Sequence, residues 1–161
     1  MPKTDPIRPT DDEARQTARD LLATATFAAL GVLAPATGAP VVTRVALART
    51  NDGAITSLIS DLSSHTVALR ANPTASLLVG APADKGDPLT HPRMSIAARV
   101  EFIARQSDEG IRTREYWLKH RPKSKLYIDF ADFHFVQFAP LSIALNGGFG
   151  KAYSLTPDVL N

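Results

Sequence analysis

The stretch TFAALGVLAPATGAPVVTRVALARTNDGAITSLIS, residues 26–60, contains three apolar runs that are rich in β-branched side chains. Two turn signals separate these runs, Pro35–Gly38 and Asn51-Asp52-Gly53. Glycine and asparagine suit tight turns because they tolerate a positive φ. The pattern therefore predicts a meander of three antiparallel strands, over residues 26–33, 40–49 and 54–60.

The rest of the chain predicts further strands with helices between them. Thr10 and Glu13 have the spacing of a capping box, which predicts a first helix that ends near residue 24. Two more helices are predicted over residues 64–71, capped by Ser63 or Ser64, and from Ser107 to about residue 119. Four more strands are predicted over residues 75–81, 93–104, 132–139 and 141–150.

Six or seven short antiparallel strands with peripheral helices indicate a mainly β protein. A small β-barrel is expected rather than an open sheet, because closing a sheet removes its exposed edges. The chain has 161 residues, the usual size of one domain. Residues 1–9 contain three prolines and no apolar periodicity, so we expect a flexible arm there and a single domain over residues 10–161.

The composition of the chain argues against several classes of function. Eighteen Lys and Arg against sixteen Asp and Glu give a net charge of +2, too little to predict nucleic-acid binding. There is no cysteine, which excludes disulfides and thiolate metal sites and fits a reducing cytoplasm. No signal peptide and no run of 18 apolar residues is found, so neither export nor membrane insertion is expected.

The segment SDLSSHT, residues 60–66, places several polar side chains where a strand gives way to a helix. A helix N-terminus presents free N–H groups and the positive end of the dipole. Ser64, His65 and Thr66 would add donors at the same point, which suits a phosphate or another anion. The alternative is an ordinary helix cap with a surface histidine.

Three arginines affect the choice between an anion site and an ordinary helix cap. Arg44 interrupts an otherwise apolar strand, so it should have an acidic or phosphate partner. Together with Arg49 at the end of that strand and Arg93 at the start of a neighbouring one, it would make an anion pocket. The alternative is that Arg44 pairs with a carboxylate of the chain, such as Asp61.

Five segments in order resemble a known family. LISDLSSHT, ANPTASLLV, GDPLTHPRMSI, DFADFHF and GGFGKA are similar to the FMN-binding split barrel of the pyridoxamine 5′-phosphate oxidase superfamily. Within it, the sequence most resembles the oxidase-like domain of haem-utilisation proteins. The resemblance covers about residues 14–152 and implies a six- to seven-stranded antiparallel split β-barrel.

The resemblance also implies a homodimer that holds FMN in a cleft between its subunits. By position, Arg44 and Val45 would lie along the flavin, and Ser60 matches a residue of the FMN-binding strand. His65 and Thr66 stand where the oxidases place two basic residues on the phosphate. Arg93 would contact the flavin, and Arg121-Pro122 resembles the end of the oxidases' substrate-binding helix.

Two kinds of function follow from these observations. The first is an FMN-binding oxidoreductase of unknown substrate, in which the flavin carries the chemistry and side chains supply binding. The alternative is a non-enzymatic barrel that binds haem or another small molecule. The four histidines, His65, His91, His120 and His134, include no paired spacing such as H-x-x-x-H, which disfavours a protein-only metal site. Nothing in the sequence selects one of them as a haem ligand.

Overall fold

The structure, a computed structural model, describes residues 5–161. Within them lie three α-helices: α1 (Asp12–Thr24), α2 (Ser64–Ala71) and α3 (Asp108–His120). The strands are β1 (Ile7–Arg8), β2 (Phe27–Leu33), β3 (Pro40–Ala46), β4 (Ala48–Arg49), β5 (Ile55–Ser60), β6 (Thr74–Val79), β7 (Arg93–Phe102), β8 (Phe133–Asn146) and β9 (Ala152–Leu155). Short 3₁₀ turns occupy Pro88–Thr90, Pro122–Leu126 and Pro157–Leu160.

The strands form one mixed sheet that wraps into a split barrel. The sheet runs β3-β2-β6-β7-β8 through antiparallel pairs, and β8 also pairs with β5, which pairs with β4. Leu47 separates β3 from β4, so one bent segment pairs with β2 through its first half and with β5 through its second. The predicted mainly β split barrel with peripheral helices is confirmed.

Two strand predictions need correction at their boundaries. The predicted strand 40–49 is divided into β3 and β4 by the bend at Leu47. The strands predicted over 132–139 and 141–150 are one continuous strand, β8. Pro140 lies in β8 opposite Ala98, where the β7–β8 register shifts. A bulge of this kind tolerates a residue that has no N–H to donate, so the proline does not end the strand.

Two strands near opposite ends of the described residues, β1 and β9, pair with each other in the sheet. Ile7 and Arg8 pair in parallel with Ala152 and Tyr153 of β9, a strand that the sequence did not predict. Residues 1–4 of the predicted arm lie outside the described residues. The predicted flexibility of the arm stays a prediction, but its residues 7 and 8 belong to the sheet.

The helix caps agree only partly with the caps that the sequence predicts. Ser107 caps α3 as predicted, because its Oγ accepts from the Gly110 N–H at 3.0 Å. The prediction of Thr10 as the cap of α1 is wrong: Asp11 is the cap, and its carboxylate accepts from the Ala14 N–H at 2.8 Å. Glu13 pairs instead with Lys151, at 2.7 Å, so no capping box forms.

Two apolar clusters fill the fold. The larger lies inside the barrel and includes the fully buried Leu30, Leu77 and Ile96. The smaller lies between α3 and the outside of β5 and β8, around Trp117. Trp117 is fully buried, and its Nε1–H donates to Thr56 Oγ1 at 3.0 Å, which satisfies the indole in the core.

Arg121, directly after α3, ties this second cluster to the bend. Its guanidinium donates to the carbonyl oxygens of Thr26 and Leu47 and lies over the Trp117 ring, 5.1 Å from its centroid. Leu47 N–H donates to the same Thr26 carbonyl at 3.0 Å. Burial lowers the pKa of Arg121 below its usual value. The side chain that resembled a substrate contact is therefore a structural clamp.

Helix α2 is fixed to the barrel by two polar side chains of its first turn. Thr66 Oγ1 donates to the Ser60 carbonyl at 2.6 Å, and His65 Nδ1 is hydrogen-bonded to Thr43 Oγ1 at 3.0 Å. His65 is only 7% exposed, and its Nε2 has no hydrogen-bond partner among residues 5–161. Burial lowers the pKa of the His65 imidazole.

No helix within residues 5–161 has the length and apolar character needed to cross a bilayer.

Replacing Gly110 with alanine should destabilise the protein, although alanine normally favours a helix over glycine by about 1 kcal/mol. A Cβ at Gly110 would lie 2.2 Å from the Ala104 carbonyl oxygen and 2.7 Å from that of Arg105. We expect a loss of about 1–3 kcal/mol in the free energy of unfolding, measured by denaturant titration. The control Ile111→Ala, at a 48% exposed position of the same helix, should change it by less than about 0.5 kcal/mol. Equal stability of Gly110→Ala and wild type would contradict this packing.

The burial of His65 predicts a pH dependence of stability. Because its pKa is lower in the folded state, protonation favours unfolding, so stability is lost as the pH falls through the unfolded value of about 6.5. The free energy of unfolding, measured between about pH 8 and pH 5, should fall more steeply in the wild type than in His65→Gln, which cannot titrate. A difference between the two proteins that stays constant with pH would show that His65 is not buried in its neutral form.

Candidate functional site

The turn between β5 and α2 uses its hydroxyl groups inside the chain. Ser60 Oγ donates to Asp132 Oδ2 at 2.6 Å and accepts from the Leu62 N–H at 3.1 Å. The Thr66 hydroxyl already donates to the Ser60 carbonyl. Ser60, which the resemblance placed in the FMN-binding strand, and Thr66, a predicted phosphate donor, are therefore engaged in holding the turn itself.

The charge at this turn is not positive. His65 adds no charge near neutral pH because burial lowers its pKa, and Ser64 is an exposed neutral residue at the first position of α2. Asp61 and Asp132 place two carboxylates at the same turn. Ser63 occupies the cap position, but its side chain makes no capping hydrogen bond. Within one chain, these residues do not fit a doubly charged phosphate.

Asp61 has partners other than Arg44. Its carboxylate accepts from His134 Nε2 at 2.7 Å and from the Arg70 guanidinium at 2.9 Å. These two hydrogen bonds, the one from His134 first, lower the pKa of Asp61. The alternative that Arg44 pairs with Asp61 is therefore wrong.

Arg44 lies on the opposite side of the sheet from His65. It is adjacent to Thr43 in β3, and neighbouring residues of a strand point to opposite faces, so the contact of Thr43 with His65 directs Arg44 outward. The Arg44 guanidinium is exposed and lies 5.3 Å from the centroid of Phe27. Val45 points inward and is 5% exposed. The structure does not bring Arg44 to the α2 turn within one chain.

Arg93 is also separate from the turn. It begins β7, and its guanidinium donates to the carbonyls of Leu89 at 3.0 Å and His91 at 3.3 Å. Leu78 lines both the cavity beside Arg93 and the cavity beside Arg44. Apart from Val45, which lies in the core, the predicted cofactor-binding residues form two groups: Ser60, Ser64, His65 and Thr66 at the α2 turn, and Arg44 and Arg93 beside Leu78 on the outside of the sheet.

Small side chains cover the outside of the sheet between these two arginines. Four neighbouring strands present them in register: Ala29 and Gly31 of β2, Ser76 and Leu78 of β6, Ser95 and Ala97 of β7, and Ser142 and Ala144 of β8. We call these eight residues the outer face. Exposed Val42 (69%) and Phe27 (45%) adjoin it. The alternation of small residues in four strands was a sequence signal for this face that the sequence analysis did not use.

A cavity of about 380 Å³ lies between α3 and the turn that joins β4 to β5. Tyr116 and His120 form one wall, with stacked rings whose centroids are 4.0 Å apart. Arg112 and Lys119 add positive charge, and the carboxylates of Asp52, Glu109 and Glu115 also line the cavity. Its volume lies in the range of small-molecule sites, about 300–1,000 Å³. The two sides of this cavity are about 60 residues apart in the chain, so no local sequence pattern indicated it.

Within residues 5–161, no group of three or more histidine, aspartate or glutamate side chains is placed to hold a metal ion.

The sequence matches the family described as CREG, beta-barrel, over residues 9–159. No curated protein matches the chain significantly. One solved structure of similar length is 44% identical over 95% of this chain and 98% of its own, with a TM-score of 0.84.

Two further solved structures are informative. A heme binding protein from Mycobacterium smegmatis is 28% identical over 96% of this chain, with a TM-score of 0.81, and this chain spans 61% of its length. A Clostridium acetobutylicum protein related to general stress protein 26, of the pyridoxinephosphate oxidase family, is 13% identical over 94% of this chain and 100% of its own. Its TM-score of 0.70 shows a shared fold. These similarities confirm the resemblance to the pyridoxamine 5′-phosphate oxidase-like split barrels and their haem-binding relatives, and the family match shows that the chain belongs to the CREG β-barrel family.

Proposed function

We propose that this protein is a homodimeric, non-enzymatic split barrel that binds haem. The observation that carries the proposal is the charge at the α2 turn. There, the carboxylate of Asp132, the carboxylate of Asp61 already paired with Arg70, and a neutral, buried imidazole occupy the place where an FMN phosphate needs cations. Haem carries no phosphate, and its negative groups are carboxylates at the edge of the macrocycle, so it needs no cations at this turn. The 28% identical haem-binding structure supports the same ligand class.

The cavity beside α3 does not suit haem by its charge. The carboxylates of Asp52, Glu109 and Glu115 line it against the two cations of Arg112 and Lys119, so the lining as a whole opposes the propionates of haem. The proposal therefore rests on the charge at the α2 turn and on the haem-binding relative, and does not assign haem to this cavity.

The homodimer is supported by the outer face. Its eight residues are small or apolar and carry no charge, so a second copy of the chain can approach the sheet closely. Arg44 and Arg93 flank this face, so a partner subunit would cover the residues that the sequence assigned to a cofactor cleft.

An FMN-dependent oxidoreductase of unknown substrate is the second candidate. The observation that favours it is the exposed guanidinium of Arg44, which has no carboxylate within ion-pair distance among residues 5–161. A partner subunit on the outer face would have to complete a phosphate site around Arg44, because the α2 turn of the same chain does not supply one.

Parallel titrations with haemin and FMN test the choice between the two cofactors. We expect haemin to bind saturably with one equivalent per chain, seen as a shifted Soret band, and FMN absorbance and fluorescence to remain unchanged. Arg44→Ala tests the flavin candidate, because a phosphate site at the outer face would need this guanidinium. Saturable FMN binding that weakens in Arg44→Ala, without haemin binding, would replace this proposal with the flavin candidate.

Sedimentation tests the dimer. The wild type should sediment with the mass of two chains, and Ala144→Arg with the mass of one, because the new guanidinium would be buried unpaired in the outer face. The control Leu126→Arg changes a 77% exposed residue of the turn after α3 and should leave the dimer intact. A wild type with the mass of one chain would exclude any cofactor site built from two subunits.

A further inference from the structure

We propose that the cavity between α3 and the β4–β5 turn binds a small zwitterion of net positive charge, of the basic amino-acid class. This cavity lies apart from the α2 turn and from the outer face, so the proposal is independent of haem binding. Three features of the cavity support it: charged side chains that lack partners in the chain, a buried hydroxyl that also lacks one, and an excess of carboxylates.

Within residues 5–161, the charged side chains of this cavity make no ion pairs. Two cations and three carboxylates line it: Arg112, Lys119, Asp52, Glu109 and Glu115. None of the five lies within 4.0 Å of an opposite charge among the described residues. Arg114, on the same helix but outside the cavity, binds Asp129 at 2.7 Å. The lining therefore offers charges of both signs to a ligand.

Thr113 adds a hydrogen-bonding group to the cavity wall. It is 4% exposed, and its hydroxyl makes no hydrogen bond among residues 5–161, whereas Thr24 of α1 donates to the Asp20 carbonyl at 2.8 Å. Of the described side chains, only His65 has a fully enclosed polar atom without a partner, so the Thr113 oxygen keeps some accessible surface. Since Thr113 lines this cavity and is otherwise buried, that surface opens into it. Buried hydroxyls normally find a partner, so this one is placed to bond a ligand.

The charges are separated along α3. Glu109, in the first turn, and Asp52, across the cavity, both also line a second, neighbouring cavity, so these two carboxylates lie at the same end. Lys119 follows Glu109 by about 15 Å along the helix axis, because a helix rises about 1.5 Å per residue. Thr113 lies between them. A ligand with its ammonium group near the two carboxylates and its own carboxylate near Lys119 matches this arrangement.

The balance of charge selects a ligand with positive charge in excess. Three carboxylates and two cations give the lining a net negative charge. The Asp52 carboxylate stays ionised near neutral pH, because a hydrogen bond from the Thr50 hydroxyl at 2.5 Å lowers its pKa. A basic amino acid carries two positive groups and one carboxylate near neutral pH, so it complements both signs of charge. The volume of about 380 Å³ is sufficient for such a molecule.

Calorimetric titration of the full chain near neutral pH tests the ligand class. L-Arginine and L-lysine should bind saturably with one equivalent per chain. L-Glutamate, which has the same zwitterionic core and an added negative charge, should not bind. Agmatine, which is arginine without the carboxylate, should bind more weakly than L-arginine because it cannot pair with Lys119.

Variants test the position of the site. In Glu109→Gln the affinity for L-arginine should fall by about tenfold or more, because a charge-assisted contact is lost. Asp108→Asn is the matched control, since it removes the same charge from the neighbouring residue, which does not line the cavity. Thr113→Val should weaken binding by about threefold to tenfold and should not lower the thermal stability, because the hydroxyl has no partner in the chain to lose.

Failure of the wild type to bind either basic amino acid would overturn this proposal and leave haem binding untouched. Equal weakening in Glu109→Gln and Asp108→Asn would show general electrostatic attraction in place of a site. Binding of L-glutamate as tight as that of L-arginine would contradict the selection by charge. A lowered thermal stability of Thr113→Val would show that this hydroxyl serves the fold and would overturn its assignment to a ligand.

Discussion

Arg121 clamps the start of β2 and the bend between β3 and β4 to helix α3. One guanidinium binds the carbonyl that precedes β2 and the carbonyl at the bend between β3 and β4, while its face covers Trp117. These three groups come from the start of β2, the bend between β3 and β4, and α3, so the clamp fixes how α3 lies against the bend. A half-buried cation bound by carbonyls and an aromatic face costs less free energy than an unpaired one. The cation is consequently unavailable to a substrate.

The bend has consequences for the site. It sets the face to which each residue of β3 points, with Thr43 inward against His65 and Arg44 outward beside the outer face. The α2 turn then satisfies its own hydroxyls and carries carboxylates. The anion-binding positions that the resemblance implied therefore lie in two places. Those at the α2 turn form hydrogen bonds that hold the barrel together, whereas Arg44 and Arg93 lie beside a surface that a second subunit would cover.

Much of the fold was predictable from sequence, because alternating apolar residues and turn residues report local geometry. Strands β2 to β8, the three helices and the Ser107 cap follow from such patterns, whereas β1 and β9 do not. Pro140 misled the prediction because a bulge against Ala98 accommodates it, which is a property of the paired strand. The direction of Arg44 depends on the register of β3, and the cavity beside α3 depends on a turn about 60 residues away in the chain. Contacts between residues this far apart in the chain cannot be recognised from local sequence patterns.

The α2 turn belongs to the framework of the barrel, because Ser60 and Thr66 bond within the chain and carboxylates lie beside them. The most direct test is a crystal structure of the protein with haemin bound. We predict haem away from the α2 turn, with the hydrogen bonds of Ser60 and Thr66 unchanged. A cofactor held by Ser64, His65 and Thr66 at the α2 turn would contradict this prediction.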